Sequence, residues 1–433
     1  MIREFVLPPA ALDELAHGGA WPGAPAAMER GKNTLLLHAV ATRSRELGHL
    51  GAQAAADGYR LLTHVHRAAP AAAAQTLGYP LLGTWASATV AALERGADDA
   101  APHRLAAVAA AAVLLARLPL TVRFHTDAGA AELPGLGRLV LPGIAAGEPV
   151  ALVADGSGAA RLDVAGERFP LPRVLRADAE AGGAHGERAR WEGVRDAGFL
   201  LDDVDPWRFP GPIPPLERLA GPEAAAWGTR LRRAMRLLNA RHPGVARALR
   251  EVTKVVVPIS PPEAGTRSAT ARTAYGSVAM SRPHDTRSAA LTLAHEVQHA
   301  KLTMLMDLFD LVRPGVRDHY YAPWRDDPRP AAALLQGAYA HMGVAGFWRA
   351  ERHVAADPEV AHSEFARWRD AAYEVCLTLL AGGALTPLGR RFVRGMLETL
   401  AAWRAERVPA EASARARRAA ARHRLQWVAR HRS

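Results

Sequence analysis

One motif in the sequence has residue types and spacing that point to metal chemistry. It is His-Glu-Val-Gln-His over residues 295–299. Two histidines four positions apart project from the same face of a helix, where both imidazoles can bind one metal ion. The glutamate between them is the residue that activates metal-bound water in zinc hydrolases. The motif therefore predicts a metal centre with ligands His295 and His299 and with Glu296 as its catalytic residue. The structural alternative is a pair of buried histidines bonded to backbone carbonyl groups.

A catalytic metal needs a third protein ligand, which the motif itself does not supply. The residues that follow His299 lack the glycine and histidine of the compact metzincin extension. We predict His341 as the third ligand, because an imidazole at the centre of an apolar helical stripe needs a polar partner. An ordinary hydrogen-bonded core histidine is the alternative for this position. Five other candidates for the third ligand are His319, Glu351, His353, His362 and Glu364.

The motif lies in a predicted helix over residues 286–312. Asp285 or Thr286 can cap the start of this helix, and the sequence Arg-Pro-Gly over 313–315 ends it. A strand predicted over residues 254–259 can pair with an extended substrate if it lies at a sheet edge beside the motif helix. The other elements predicted after residue 216 are helices over 224–248, 330–355, 360–381 and 387–407, a basic C-terminal helix, and a strand over 276–281.

The rest of the chain divides into a helical part and a β-rich part. Helices are predicted within residues 1–118, and the almost wholly apolar run 105–118 is typical of a central core helix. After Pro119, short β-type runs alternate with clusters of Gly, Pro and Asp, which is typical of an antiparallel meander. These runs cover residues 120–125, 138–141, 150–154, 161–164 and 167–171, and residues 177–190 are predicted to be a loop or linker.

These elements predict a mainly helical α+β fold in three parts. The first is an amino-terminal helical region, residues 1–118, and the second is a β-rich meander, residues 119–190. The third, residues 191–433, is a zincin-like metal-binding catalytic domain whose helices are accompanied by a small strand element and the basic C-terminal helix.

Composition excludes several classes of protein. A single cysteine, Cys376, excludes a disulfide framework and a cysteine-held metal cluster. Nine arginines against two glutamates lie in residues 404–433, so most of the net charge of +11 is local and nucleic acid is not expected as a partner. The start of the chain has no hydrophobic targeting run, and the longest apolar run, residues 105–116, is too short to span a bilayer. We therefore expect a cytoplasmic protein with no membrane partner.

Several segments carry a resemblance to a known family. They are Ser-Val-Ala-Met-Ser over 277–281, the motif segment 294–302, and residues 321–341, with Trp-Arg-Asp-Asp-Pro-Arg-Pro at 324–330. Residues 5–16 and 35–40 add to it near the start of the chain. Together they resemble the HExxH-motif proteins of ribosomal-peptide maturation clusters, which are 2-oxoglutarate-dependent peptide β-hydroxylases.

The resemblance implies a dioxygenase that uses iron(II), 2-oxoglutarate and O2. His295, His299 and His341 would hold the iron, and the substrate would be a ribosomally made precursor peptide, hydroxylated at a side-chain β-carbon. In such an enzyme Glu296 would orient bound ligands rather than activate water.

The distal carboxylate of 2-oxoglutarate needs a cation, for which arginine is best suited. Arg325 and Arg329 lie in the stretch that resembles the family and are the predicted ligands. The alternative for both arginines is a surface salt bridge to Asp326 or Asp327.

Two other functions stay open at this point. The first is a zinc metallopeptidase, which the motif alone favours, with Glu351 or Glu364 as third ligand and Tyr339 or Tyr373 as oxyanion donor. The second is a non-catalytic peptide-binding module whose metal is structural or lost.

Overall fold

The computed structural model describes residues 6–127, 129–180, 189–263 and 265–431. The chain is mainly helical, with 55% helix and 13% strand in small sheets, as the sequence predicts. The α-helices are α1 (Pro9–Ala16), α2 (Ala24–Glu46), α3 (Ala52–Ala68), α4 (Pro70–Leu77), α5 (Pro80–Arg95), α6 (Arg104–Ala116), α7 (Gly221–Arg241), α8 (Pro243–Val252), α9 (Thr286–Leu308), α10 (Ala331–Glu351), α11 (Pro358–Ala381), α12 (Pro387–Arg404) and α13 (Ala410–His431).

Most of the strands are short. They are β1 (Thr121–His125), β2 (Ala130–Leu133), β3 (Gly137–Val140), β4 (Pro149–Ala154), β5 (Ala160–Val164), β6 (Glu167–Pro170), β7 (Ala179–Glu180), β8 (Arg190–Gly193), β9 (Arg195–Asp196), β10 (Leu200–Leu201), β11 (Val255–Pro258), β12 (Ser268–Ala269), β13 (Ser277–Met280), β14 (His319–Tyr320) and β15 (Arg329–Pro330).

Contacts between residues divide the chain into two compact units. The first unit combines Met1–Pro25, Arg233–Val252 and Pro283–Ser433, and the second combines Ala26–Arg232 with Thr253–Arg282. These units differ from the predicted ranges 1–118, 119–190 and 191–433. Helix α1 packs on α12 in the first unit, and strands β11 to β13 share a sheet with β9 and β10 in the second.

The β-rich part of the second unit forms two four-stranded antiparallel sheets rather than one meander. Their strand orders are β1-β4-β5-β6 and β2-β3-β8-β7. The five predicted β-type runs are confirmed as β1 and β3 to β6. Strand β8 pairs with β3 from about fifty residues away, a partner that no local pattern reveals. Of the predicted linker, residues 179–180 form β7, and residues 181–188 lie outside the described part of the chain.

A third sheet of the second unit contains the strand predicted over 254–259, which is observed as β11. Its order is β12-β13-β11-β10-β9, and β11 lies at the centre, parallel to both of its neighbours. The edge position on which pairing with an extended substrate depended is therefore not the one this strand occupies. All four residues of β11 are buried, and such a continuous apolar run is typical of a parallel strand that is covered on both faces of its sheet.

The first unit is built mainly from helices, with the two-stranded sheet β14-β15, and α9 carries the motif. Asp285 caps α9 by accepting a hydrogen bond from the Ser288 backbone N–H, while the Ser288 hydroxyl contacts the Asp285 backbone N–H in return. Lys301 ties α9 to the amino-terminal segment, because its Nζ donates to the carbonyl oxygens of Gly18 and Gly19 at 2.7 Å each. No helix in the described part of the chain has the length and apolar character needed to cross a membrane.

The helix predicted over 224–248 is wrong as one element. The chain forms α7 and α8, separated at His242, and α8 begins at Pro243. Proline has no N–H for the hydrogen bond of a continuing helix, and its ring clashes with the preceding turn.

Candidate metal centre

The first unit brings three imidazoles together. His295 and His299 lie one turn apart on α9, and their Nε2 atoms are 3.1 Å apart. Helix α10 packs against α9 and places the His341 ring 5.3 Å from the His295 ring, centroid to centroid. We call these three side chains the histidine cluster. The residues singled out from sequence as metal ligands therefore share one location.

Two members of the cluster are oriented through their Nδ1 atoms. Nδ1 of His299 lies 3.2 Å from Oε1 of Gln336, and Nδ1 of His341 lies 2.8 Å from the carbonyl oxygen of Gly337. Both partners are acceptors, so each Nδ1 carries the proton and each Nε2 keeps its lone pair. Gln336 is itself held, because its Nε2 donates to Thr303 at 3.2 Å. Fixing the tautomer from the outer nitrogen is the arrangement of metal-binding histidines.

The spacing of the α9 pair fits a shared metal ion. With metal–nitrogen bonds of about 2.1 Å, two ligands at octahedral or tetrahedral angles are separated by roughly 3.0 to 3.4 Å. The observed separation between the two Nε2 atoms, 3.1 Å, falls in this range. Without a metal, the lone pair on His299 Nε2 can accept a hydrogen bond from Nε2–H of His295.

The third imidazole lies beside this pair without closing a ligand set. Among residues 6–127, 129–180, 189–263 and 265–431, no group of three or more His, Cys, Asp or Glu side chains has an arrangement that could hold a metal ion. The position of the His341 ring is set by its own packing and by the bond to Gly337, and His295 and His299 alone have the spacing of a chelating pair.

Burial keeps two of the imidazoles neutral. It lowers the pKa of His341 to about 3; the hydrogen bond to the Gly337 carbonyl opposes this shift, and the electrostatic effects of His299 and Arg367 add to it. Burial also lowers the pKa of His295 well below its ordinary value, followed by the effects of the other two imidazoles. Neutral imidazole is the metal-binding form, so these lone pairs are available at neutral pH.

Two indole rings form a wall around His341. The Trp324 ring stacks on the imidazole at 4.3 Å with an interplanar angle of 13°, and the Trp368 ring lies 4.6 Å from it. Gly337 makes room for this stacking, because a Cβ at its position would lie 2.5 Å from the Trp324 ring. The small residues around His341 predict that another helix packs closely against this one. At Gly337, however, the group that packs closely is the Trp324 indole.

Glu296 lies next to the α9 pair. Its side chain is 2% exposed, and its Oε1 is 3.9 Å from Nε2 of His295. A carboxylate at this distance can either orient a bound ligand or take a proton from one.

The acidic candidates for the third ligand have other partners. Glu351 is fully buried and accepts hydrogen bonds from Arg241 at 3.1 Å and from His242 at 3.1 Å. Glu364 accepts a hydrogen bond from the Trp368 indole at 2.7 Å. The structure thus brings His341, rather than either glutamate, to the α9 pair.

The tyrosines predicted as oxyanion donors are also engaged. The Tyr339 hydroxyl is buried and donates to the Leu15 carbonyl oxygen at 2.6 Å. The Tyr373 ring lies under the Arg404 guanidinium, with Cζ 4.2 Å from the ring centroid. The remaining histidine candidates have other neighbours. His319 is exposed, with Nδ1 2.8 Å from the Arg317 carbonyl oxygen, and the rings of His353 and His362 lie nearly perpendicular with their centroids 6.5 Å apart.

Arg325 and Arg329 share one carboxylate. Nε of Arg325 donates to Asp327 at 2.7 Å, and a terminal nitrogen of Arg329 donates to the same side chain at 3.0 Å. The hydrogen bonds from Arg325 and then Arg329 lower the pKa of Asp327 to about 2. Both arginines thus form a salt bridge to Asp327, which is the alternative to their binding 2-oxoglutarate. Their binding of 2-oxoglutarate stays a prediction.

Four residues of the site were not found from sequence: Gln336, which orients His299, the two indoles Trp324 and Trp368, and Arg367. Trp324 and Gln336 fall inside segments 321–330 and 335–341, which carry the family resemblance, and this is the signal that could have singled them out. Trp368 and Arg367 lie on α11, and no motif marks them.

No protein-family model matches the sequence, and no curated protein matches it.

Proposed function

We propose that this chain is an iron(II)- and 2-oxoglutarate-dependent hydroxylase that acts on a side-chain β-carbon of a ribosomally made precursor peptide. The observation that carries the proposal is the meeting of three imidazoles, two of them bonded through Nδ1 to protein oxygens. The resemblance of the motif segments to peptide β-hydroxylases supports the choice of metal and cosubstrate. A zincin-like arrangement of the motif helix belongs to the same proposal.

The histidine cluster and the residues around it have distinct roles in this proposal. His295, His299 and His341 would hold the iron, which when bound supplies oxidative decarboxylation of 2-oxoglutarate coupled to C–H hydroxylation. Gln336 accepts a hydrogen bond from Nδ1 of His299, and the Gly337 carbonyl accepts one from Nδ1 of His341. In both histidines Nε2 therefore carries the lone pair that would bind the metal. Trp324 and Trp368 exclude water from one side of His341. Glu296 is close enough to orient a ligand beside His295.

A zinc peptidase is the second candidate, and the position of Glu296 favours it. A buried carboxylate 3.9 Å from Nε2 of a ligand histidine suits a general base. Two contacts weigh against the peptidase. Glu351, a candidate for the acidic ligand, pairs with Arg241, and Tyr339, a candidate for the oxyanion donor, donates to the Leu15 carbonyl oxygen.

Anaerobic reconstitution separates these functions. The full-length chain is loaded with iron(II), 2-oxoglutarate is added, and the visible metal-to-ligand absorption band is recorded. On admission of oxygen, we expect succinate to form. A peptide substrate should gain the mass of one oxygen atom, whereas a peptidase would release fragments. The His299→Ala variant is the control and should show no band. No band and no succinate from the wild-type chain would contradict the hydroxylase, and peptide cleavage lost in Glu296→Gln would establish the peptidase.

A further inference from the structure

Helix α13 packs one face against the first unit and exposes the opposite face. It contacts α11, and Ala412 and Ala416 on its inner face are buried. Further along the inner face, the centroid of the Trp427 ring lies 5.2 Å from that of the Tyr321 ring. On the opposite face Leu425 is 72% exposed, although it is a large apolar side chain. We call this opposite side the outer face of α13.

The outer face has the residue spacing of a coiled-coil seam. Ala414, Ala421 and Val428 recur every seven residues, and Leu425 lies four residues after Ala421. Alternating steps of four and three residues keep side chains on one line along a helix that pairs with another helix. Arg418 takes the remaining position, so four of the five seam positions between 414 and 428 are apolar.

Arginines line both sides of this seam. Arg415 and Arg422 lie seven residues apart on one side, and Arg417 and Arg424 lie seven residues apart on the other. All four side chains are exposed, and residues 414–428 contain no aspartate or glutamate. In a coiled coil, residues at these flanking positions pair with charged residues of the partner helix and determine which partner binds. We call the seam and its four flanking arginines the arginine-flanked seam.

Most of this positive charge is available to a partner. Within the part of the chain that the structure describes, the guanidinium groups of Arg417, Arg418 and Arg422 make no hydrogen bond or ion pair. Arg415 is 3.6 Å from Glu359, and both of these side chains are more than half exposed. An exposed pair of this kind contributes little and is easily exchanged. The arginines can therefore pair with carboxylates from outside the chain.

Three kinds of partner fit this surface poorly. A second copy of the chain would place arginines opposite arginines in either orientation of the two helices. A nucleic acid would neutralise the charge but would leave Leu425 and Val428 uncovered. A helix that lies on a membrane needs a broad face of large apolar side chains, whereas Trp427 is turned toward Tyr321 and away from the outer face.

We propose that the arginine-flanked seam binds an amphipathic helix that carries carboxylates on both sides of an apolar stripe. Large apolar side chains of such a helix would lie against Ala414 and Ala421 and would cover Leu425. Its carboxylates would face the two rows of arginines, which supplies the charge complementarity that a second copy lacks. This inference is independent of the proposed function, because it concerns a surface and not the histidine cluster.

The test uses a synthetic acidic helix as the probe. It has three heptads with leucine at the seam positions, glutamate at the flanking positions and a fluorescent label. We expect the full-length chain to bind it, as measured by fluorescence anisotropy, and to bind it more weakly as salt rises from about 50 to about 300 mM. A scrambled peptide of the same composition keeps the charge and loses the stripe, so it should bind at least about 10-fold more weakly.

Two variants separate the contribution of charge from that of the apolar seam. Arg417→Glu/Arg422→Glu should weaken binding of the acidic helix at least about 10-fold, because it replaces attraction by repulsion at two positions. The same variant should bind a matched peptide with lysine at the flanking positions more tightly than the wild-type chain does. Leu425→Gln keeps every arginine and should weaken binding of the acidic helix while binding of the scrambled peptide is unchanged.

The matched control is Arg247→Glu/Arg394→Glu, which changes the net charge equally at exposed positions on α8 and α12. It should bind the acidic helix as the wild-type chain does. An equal loss in this control, or equal binding of the scrambled peptide, would reduce the effect to net charge and overturn the proposal. Tighter binding of a duplex RNA of about 20 base pairs, or of phosphatidylserine vesicles, would also overturn it, in favour of a nucleic acid or a membrane.

Discussion

The histidine cluster of the first unit and a carboxylate cluster of the second unit both bury polar groups, with opposite results. The carboxylate cluster consists of Tyr79, Arg104, Glu132, Asp202 and Asp205, of which Asp202 is fully buried and Arg104 is 8% exposed. The Tyr79 hydroxyl donates to Asp202 at 2.5 Å and contacts Asp205 at 3.1 Å. Arg104 pairs with Asp205 at 2.9 Å and also with Glu132.

Backbone groups complete the carboxylate cluster. The backbone N–H groups of Val204 and Asp205 donate to Oδ1 of Asp202, and the Trp207 N–H donates to Oδ1 of Asp205. The capacity of these two carboxylates is thus used within the chain. In the histidine cluster, protein oxygens occupy the outer nitrogens of His299 and His341, and Nε2 of His299 lies 3.1 Å from Nε2 of His295.

A structural polar network and a binding site use their buried polar groups differently. A buried network that serves stability pairs its donors and acceptors internally. A site that takes a ligand leaves lone pairs directed at a common point. By this criterion the carboxylate cluster stabilises the second unit, and the pair His295 and His299, whose Nε2 atoms lie 3.1 Å apart, is the candidate for chemistry.

The largest effect tests the structural role of the carboxylate cluster. Arg104→Met leaves Glu132 and Asp205 buried without their cation, and we expect the free energy of unfolding to fall by about 3–5 kcal/mol. Urea unfolding measures this loss. The control Arg190→Met removes one exposed partner of Glu192, which keeps Arg138, and should cost less than about 1 kcal/mol. If Arg104→Met and Arg190→Met lost equal free energy of unfolding, the carboxylate cluster would have no special role in stability.

The pH dependence of stability tests the same cluster. Burial, followed by the charge of Asp205, raises the pKa of Asp202 to about 6. An unfolded aspartate has a pKa of about 3.9, so the folded chain binds the extra proton between these values. The free energy of unfolding should therefore fall as pH rises from about 4 to about 6, by up to about 2–3 kcal/mol from this group.

The Asp202→Asn variant carries no charge at this position and should lose this decline. Urea unfolding at several pH values compares it with the wild-type chain, and the variant should gain stability relative to wild type as pH rises. A difference between the two chains that stays constant with pH would show that Asp202 does not titrate in this range.

A smaller effect concerns the orientation of the histidine cluster. Gln336→Leu removes the acceptor for Nδ1 of His299, and we expect metal affinity to fall about 10- to 100-fold, as for other residues that orient metal ligands. Competition with a chromogenic chelator measures the affinity for iron(II) and zinc. Gln426→Leu, an exposed position on α13, is the control and should bind metal as the wild-type chain does. Unchanged affinity in Gln336→Leu would mean that His299 needs no such support.

The smallest expected effect belongs to the indole wall. Trp324→Leu removes a stacked ring worth about 0.5–1.5 kcal/mol, so metal affinity should fall about 2- to 10-fold if His341 is a ligand. The same chelator assay applies, with Trp207→Leu in the second unit as the control. A loss confined to thermal stability, with metal affinity intact, would assign Trp324 a purely structural role and argue against His341 as a ligand.

Local spacing was enough to predict part of this protein. The 3.6-residue repeat of a helix places His295 and His299 on one face whatever surrounds them, and Asp285 at the cap is equally local. The short β-type runs became β1 and β3 to β6 because period-two alternation needs only one buried face. The apolar stripe around His341 identified the imidazole as unusual, although it did not identify its neighbours.

The packing of helices and sheets determines which groups meet when they are far apart in the sequence. Glu351 was another candidate for the third ligand, yet it pairs with Arg241 and His242, more than a hundred residues earlier in the chain. Arg325 lies beside the motif segments in sequence, whereas Arg367, unmarked by any pattern, is the arginine against the aromatic wall. Local features such as a helix cap or two side chains on one helix face depend on residues within one or two turns of the helix. Partners across long loops are selected by the packing of whole helices and sheets, which no short window of sequence contains.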